Sequence, residues 1–287
     1  MSTSESYEES RGSEKPLPAP WWWLSRMAPA RGPLIVMYHG IGGPDGVPLE
    51  RFEEQIDALS GLRRIVPLSE AVAALGTPAA HRLAAITFDD GYRDFAELAV
   101  PVLVRRGLHA TVFVPAALLG DHNRWDTEIG VAPHRSILDG ASLRSLDPQH
   151  VEVGGHGLTH CRLAGLPPEQ LQAETSEARA ILEETCGRPV RLFAYPYGQL
   201  DDIDLAAQQA VEQAGFEAAC STHFGRGSRT KERFRLRRVG VRPNDTLLEF
   251  QKRLVGAADW VAPKEILGAA HRRFRRRLAR SANSSSE

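Results

Sequence analysis

Two adjacent carboxylates, Asp89 and Asp90, stand directly before Gly91 at the end of the apolar run Ala84-Ala85-Ile86-Thr87-Phe88. Neighbouring residues of a strand face opposite sides, so the two acids should meet different surroundings. One can hold a metal while the other handles a proton. Gly91 lets the chain turn sharply and leaves room for a ligand near the backbone. A strand-end Asp-Asp-Gly is also an ordinary turn, so the pair gains meaning only from groups elsewhere. His156 and His160 lie four residues apart in His-Gly-Leu-Thr-His. On a helix both imidazoles would share one face and could share a metal. With Asp90 they make a two-His, one-carboxylate set that leaves positions open for water and substrate. Such a set suits catalytic zinc, and also iron or other borderline metals. Glu152 or another buried carbonyl could orient the imidazoles. His39 and the turn Pro196-Tyr197-Gly198 end two further apolar runs.

The elements that must position these groups are legible around them. Leu34–Tyr38 precedes His39, Val151-Glu152-Val153 leads toward His156, and Arg191–Tyr195 precedes Pro196. Ala110–Val114 and Glu217–Cys220 read the same way. Apolar and β-branched content marks these as strands buried on both faces. Between them, segments 49–62, 70–75, 94–106, 168–186, 202–214 and 246–255 have helical spacing, with Gly107, Gly187 and Gly215 as stops. Ser69 is placed to cap the second of these. Strand then helix, repeated about seven times, implies parallel strands with crossover helices, as an open sheet or a barrel. In such folds functional groups gather at the C-terminal ends of the strands. The irregular stretch 115–147, with Trp125, Asp126 and His134, is a natural place for substrate contacts.

Totals narrow the class. The chain has 287 residues, 42% apolar content, 25% charge and a net charge of -1. This is the profile of a globular protein and argues against a general nucleic-acid binder. Cys161, Cys186 and Cys220 form no CxxC pair, so neither a disulfide framework nor a thiolate metal site is expected. Residues 1–20 are rich in Ser, Glu and Pro and are expected to be disordered. They lack the features of a signal peptide, and no apolar stretch is long enough to span a bilayer. The chain is therefore expected in the cytoplasm. Trp21-Trp22-Trp23 could dock on the fold, touch a membrane interface or stack on sugar. Residues 263–278 read as a basic helix that would allow contact with the anionic inner membrane face. The expected division is 1–32 as a tail and Trp-rich lead-in, 33–260 as the catalytic domain, and 261–287 as a basic helix and tail.

Taken together, these motifs resemble the polysaccharide deacetylases of carbohydrate esterase family 4, the NodB-homology group. Thr87-Phe88-Asp89-Asp90-Gly91 is similar to that family's first motif, His156–His160 to its second, and Phe193–Gly198 to its third. The resemblance implies an incomplete (β/α)7-type barrel. It implies Asp89 as the catalytic base and Asp90, His156 and His160 as ligands of a divalent metal, Zn²⁺ being the expected one. Tyr195 and Pro196 would contact substrate. There are three departures. Gly157 stands at the usual Ser or Thr. Ala194 stands where most of the family has the Arg that orients the base. The late Leu-x-His motif has no clear match. A branch that includes biofilm-polysaccharide deacetylases shares the last two, and there the acid His comes from the first strand. Met37-Tyr38-His39-Gly40 is similar to that segment, so His39 is the candidate acid. Arg238 or Arg93 is expected to replace the missing cation.

The expected reaction is removal of N-acetyl groups from a glycan or glycan precursor, as in exopolysaccharide synthesis. The backbone N–H of Tyr197 would stabilise the oxyanion, because Pro196 has none. Two other readings fit the same residues: hydrolysis of a non-carbohydrate amide, cyclic imide or ester, and a non-catalytic carbohydrate-binding protein. A base beside a metal argues against the latter.

Overall fold

Alternation along the strands decides how the barrel fills. In the computed structural model, which describes residues 32–128, 130, 132–256 and 265, all strand pairings are parallel. They are β1 (Leu34–Tyr38), β2 (Arg64–Ile65), β3 (Leu83–Phe88), β4 (Ala110–Val114), β5 (Val151–Gly155), β6 (Leu192–Ala194), β7 (Ala218–Phe224) and β8 (Leu236–Gly240). β1 pairs with β3 on one side and β8 on the other. The order β1-β8-β7-β6-β5-β4-β3 thus closes into a ring of seven, and β2 adds only to the start of β3. A full barrel of this kind has about eight strands, so the α/β architecture is the incomplete (β/α)7 type expected. The ring is thinnest between β5 and β6, where Gly155 faces Phe193.

Outward residues pack under the helices. These are α1 (Leu49–Leu62), α2 (Leu68–Ala73), α3 (Val100–Arg105), α4 (Arg124–Thr127), α5 (Gly140–Ser145), α6 (Pro168–Gln172), α7 (Ala178–Cys186), α8 (Leu205–Gln213) and α9 (Leu247–Val255). Tyr38 of β1 meets Phe52 of α1 edge-on at 5.2 Å and stacks on Phe88 of β3 at 5.3 Å. Burying each such large apolar side chain stabilises the fold by roughly 1.5–3 kcal/mol. Ile35, Ala85, Phe113, Leu192, Ala194, Ala218, Cys220 and Leu236 form a second, smaller cluster on the opposite faces of the strands. By the same alternation Thr87, Asp89 and Arg238 belong to this inner face.

Several details differ from the sequence reading. β8 was not anticipated, and β7 is longer than Glu217–Cys220. Ser69 does not cap α2: Pro67 precedes the helix without a side-chain bond, and the Ser69 hydroxyl donates to Glu152 instead. Residues 168–186 form one helical run, but Ala173–Glu177 within it is a π turn. Expectations for residues 1–31, including Trp21–Trp23, fall outside the described residues, as does nearly all of the basic segment 261–287. Among the described residues no helix is long and apolar enough to cross a membrane.

Candidate metal centre and active site

β3 delivers its two acids in different ways. The Asp89 N–H bonds to the Tyr38 carbonyl at 3.0 Å, so the ladder continues one residue past β3 and the side chain stays in the barrel. Asp90 then turns into the left-handed region at φ 71° and rises to the rim. His160 at φ 61° and Tyr197 at φ 59° do the same, and among the described residues no other non-glycine residue does. Each such residue costs on the order of 1–3 kcal/mol and persists only where its surroundings fix it. All three strained residues therefore sit at one site.

Inside the barrel Asp89 meets Arg238. Nη1 and Nη2 donate to Oδ1 and Oδ2 at 2.6 Å each, Nε donates to the Ser221 carbonyl at 2.9 Å, and Nη1 also reaches Thr87 Oγ1 at 3.2 Å. Arg238 is fully buried. Burial alone would raise the Asp89 pKa; the Arg238 guanidinium, aided by His156 and His39, outweighs it and holds the carboxyl below its ordinary value. Arg93, the other sequence candidate, faces Asp139 at 3.8 Å and is half-exposed. Ala194 lies on the inner face of β6, and the guanidinium that holds Asp89 comes from β8 instead.

At the rim, Asp90 Oδ1 lies 3.3 Å from His156 Nε2 and 3.2 Å from His160 Nε2. The ligand atoms of the three buried residues fall within 4.8 Å of one another. His156 Nδ1 bonds the Ala194 carbonyl at 2.7 Å. A carbonyl only accepts, so Nδ1 carries the proton and Nε2 presents its lone pair to the centre. Two imidazole Nε2 atoms and a carboxylate oxygen converging in a buried space make a donor set that fits a divalent cation. The set offers nitrogen and oxygen donors, the types that zinc and other borderline divalent metals take. Burial pulls the His156 pKa down, but Asp90 and Asp89 push it above its ordinary value, whereas burial leaves His160 below its own.

The expectation that a helix aligns the imidazoles is corrected. Residues 156–163 are not helical. His160 is brought back by a loop held on Glu174, which accepts from Leu158 N at 2.7 Å, Thr159 N at 3.1 Å and Thr159 Oγ1 at 2.6 Å. Gly157 is required here: φ is 77°, and a Cβ would lie 2.8 Å from Glu174 Oε2. The π turn at Ala173–Glu177 is what carries Glu174, and such turns often mark functional sites. Glu152 does not orient either imidazole; it bonds Ser69 and Thr111.

The other sequence candidates divide. Trp125 stacks on His160 at 3.8 Å, and Tyr197 lies on it at 5.1 Å. His39 is exposed and lines a cleft of about 230 Å³ together with Asp90, Tyr92, Asp126 and Arg135. Tyr195 as a substrate contact is corrected: it is buried, and its hydroxyl donates to the Phe234 carbonyl at 3.0 Å. Pro196 is likewise buried, packed behind Gly157. Tyr92 escaped the sequence reading. Its phenol is pushed well up by burial and by the charge of Asp90, to which it hydrogen-bonds.

The sequence model of the family described as polysaccharide deacetylase matches residues 76–219, half of the 287-residue chain. The chain belongs to the polysaccharide deacetylase family. The matched span holds Asp89, Asp90, His156, His160 and Tyr197, whereas His39 and Arg238 lie outside it. YxkH of Bacillus subtilis (strain 168) is 26% identical over 226 residues, 77% of this chain and 75% of that protein. Among solved structures, the Streptococcus pyogenes deacetylase PplD in complex with acetate superposes with a TM-score of 0.65 at 20% identity, covering 78% of this chain and 99% of PplD. IcaB from Ammonifex degensii gives 0.64 at 22% identity, covering 78% and 97%. At these identities the two structures establish a shared fold for this polysaccharide deacetylase family member.

Proposed function

We propose that the protein is a zinc-dependent hydrolase that removes N-acetyl groups from a glycan, releasing acetate and a free amine. One observation carries this reading: an ionised carboxylate, Asp89, stands beside the converging Asp90, His156 and His160. A divalent cation held by those three residues would lower the pKa of bound water and polarise the amide carbonyl. Asp89 is the base that takes the proton of the attacking water. Arg238 keeps it ionised and holds both oxygens in place, each with a lone pair left to take a proton. The backbone N–H of Tyr197 is the donor assigned to the tetrahedral oxyanion. His39, across the cleft, gives a proton to the nitrogen as the C–N bond breaks. Its exposure lets it regain a proton from solvent. Trp125, over His160, offers an apolar face to the sugar ring.

The bound acetate named for PplD is the product this chemistry would release. The test is acetate release from N-acetylglucosamine oligomers by the zinc-loaded protein. Turnover that is absent with such oligomers yet present with simple amides or esters would overturn the glycan assignment.

A further inference from the structure

One guanidinium outside the metal centre is built into the cleft with more partners than packing requires. Arg135 Nε donates to Asp45 Oδ1 at 2.7 Å, Nη1 donates to Asp94 Oδ2, and Nη2 donates to the Gly42 carbonyl at 3.0 Å. Its side chain is 9% exposed. The guanidinium also lies over the Tyr92 ring at 5.5 Å. Residues 40–47 curl around it: Gly42 N bonds Val47 O at 2.7 Å, Val47 N bonds Gly40 O at 3.0 Å, and Ile41 N bonds Asp94 Oδ1 at 2.9 Å. A Cβ at Gly40 or Gly46 would collide with the guanidinium. The loop backbone is therefore shaped to this side chain.

Three walls of the cleft meet at Arg135. The curled loop begins directly after His39. Tyr92 hydrogen-bonds Asp90. The Arg135 main chain is tied to Asn123, its N–H donating to Asn123 Oδ1 at 2.8 Å and its carbonyl accepting Asn123 N at 3.2 Å. Asn123 opens α4, which carries Trp125 over His160.

We infer that Arg135 is a positioning residue that sets His39 at a fixed reach from the metal centre by clamping the 40–47 loop to Tyr92 and α4. This rests on the N-deacetylase reading above. The fork of donors matters, because one planar group serves acceptors on two segments and stacks on a ring; a lysine ammonium cannot do all of this. Misplacing a catalytic group by about 1 Å can cost about 10²-fold in rate.

The experiment compares wild type with Arg135→Ala, Arg135→Lys and the milder Asp45→Asn, each loaded with zinc. Expected for Arg135→Ala is a fall in kcat of about 10–10²-fold with KM and zinc affinity little changed. Low, non-denaturing guanidinium should restore much of the kcat, whereas ammonium should not, and Arg135→Lys should remain impaired. Asp45→Asn should show a smaller loss in the same direction. Hydrogen exchange of the amides of Ile41, Gly42 and Val47 should quicken in the Arg135 variants. A folded Arg135→Ala with wild-type kcat, or a loss that guanidinium does not reverse, overturns the assignment. If Arg135→Ala does not fold, Asp45→Asn decides by the same kcat and exchange readouts. If wild type itself releases no acetate, the functional reading fails, and the exchange readout alone decides the clamp: unchanged protection overturns it.

Discussion

Arg238 and Asp89 form a fully buried, two-pronged ion pair, 2.6 Å at each prong, between β8 and the end of β3. Removing one partner of such a pair strands the other charge, which typically costs about 3–5 kcal/mol. Arg238→Met should lose stability of that order in chemical denaturation. Arg238→Lys should lose less but still lower activity, because an ammonium cannot hold both oxygens.

The same pair fixes a pH dependence. The folded Asp89 carboxyl is held below its ordinary value of 3.8. The unfolded chain therefore takes up this proton at higher pH than the folded one. The stabilisation is complete above the unfolded value and is lost as pH falls through the lower, folded value. In Arg238→Met the cation is gone and burial dominates. Denaturation curves of the two proteins should thus differ most near neutral pH and converge in acid. A gap that stays constant down to acid pH would refute the linkage.

Asp89→Asn separates base from ligand. Loss of a general base typically costs about 10²–10⁴-fold in rate. Zinc content should stay at the wild-type level, since Asp90, His156 and His160 are untouched. The double variant His156→Ala, His160→Ala should lose both zinc and activity. Undiminished turnover in Asp89→Asn would remove that residue from its role.

How far the sequence disclosed all this depends on which rule each residue obeys. The ends of β1, β3, β5 and β6 were legible because apolar runs stop at polar groups before glycines. β8 was not, because Leu236-Arg237-Arg238-Val239-Gly240 carries two arginines where an inner strand should be apolar. Arginine is almost never fully buried unless paired, and its partner lies 149 residues away in sequence. His156 and His160 have helical spacing, yet a left-handed turn at His160 achieves the convergence. Non-glycine residues seldom adopt that conformation, so no local pattern announces it. Glu174 was hidden for a related reason. It sits in a helical run, and the π turn changes which side chain faces the metal loop.

Glu174 gives a prediction of its own. Residues that orient metal ligands typically contribute about 10–100-fold in metal affinity. Glu174→Ala frees three donors of the 157–160 loop and should weaken zinc binding by that order, measured by competition with a chromogenic chelator. Gly157→Ala should weaken it too, because the added Cβ meets Glu174 and φ is positive. Unchanged zinc affinity in folded Glu174→Ala would show that the loop holds itself.

Metal removal should expose the strain stored at the centre. Asp90 and His160 both have left-handed backbones, and two imidazoles face one carboxylate within a buried space. Binding to the native state alone adds about 2.7 kcal/mol at a free concentration 100 times Kd. Chelation should therefore lower the melting temperature of wild type, and zinc should restore it. The His156→Ala, His160→Ala double variant should melt at one temperature with or without zinc, because the set is broken. Asp89→Asn should still respond to zinc, since its charge lies on Arg238 rather than among the three converging ligands. A zinc response that survives loss of both imidazoles would place the cation elsewhere on the protein.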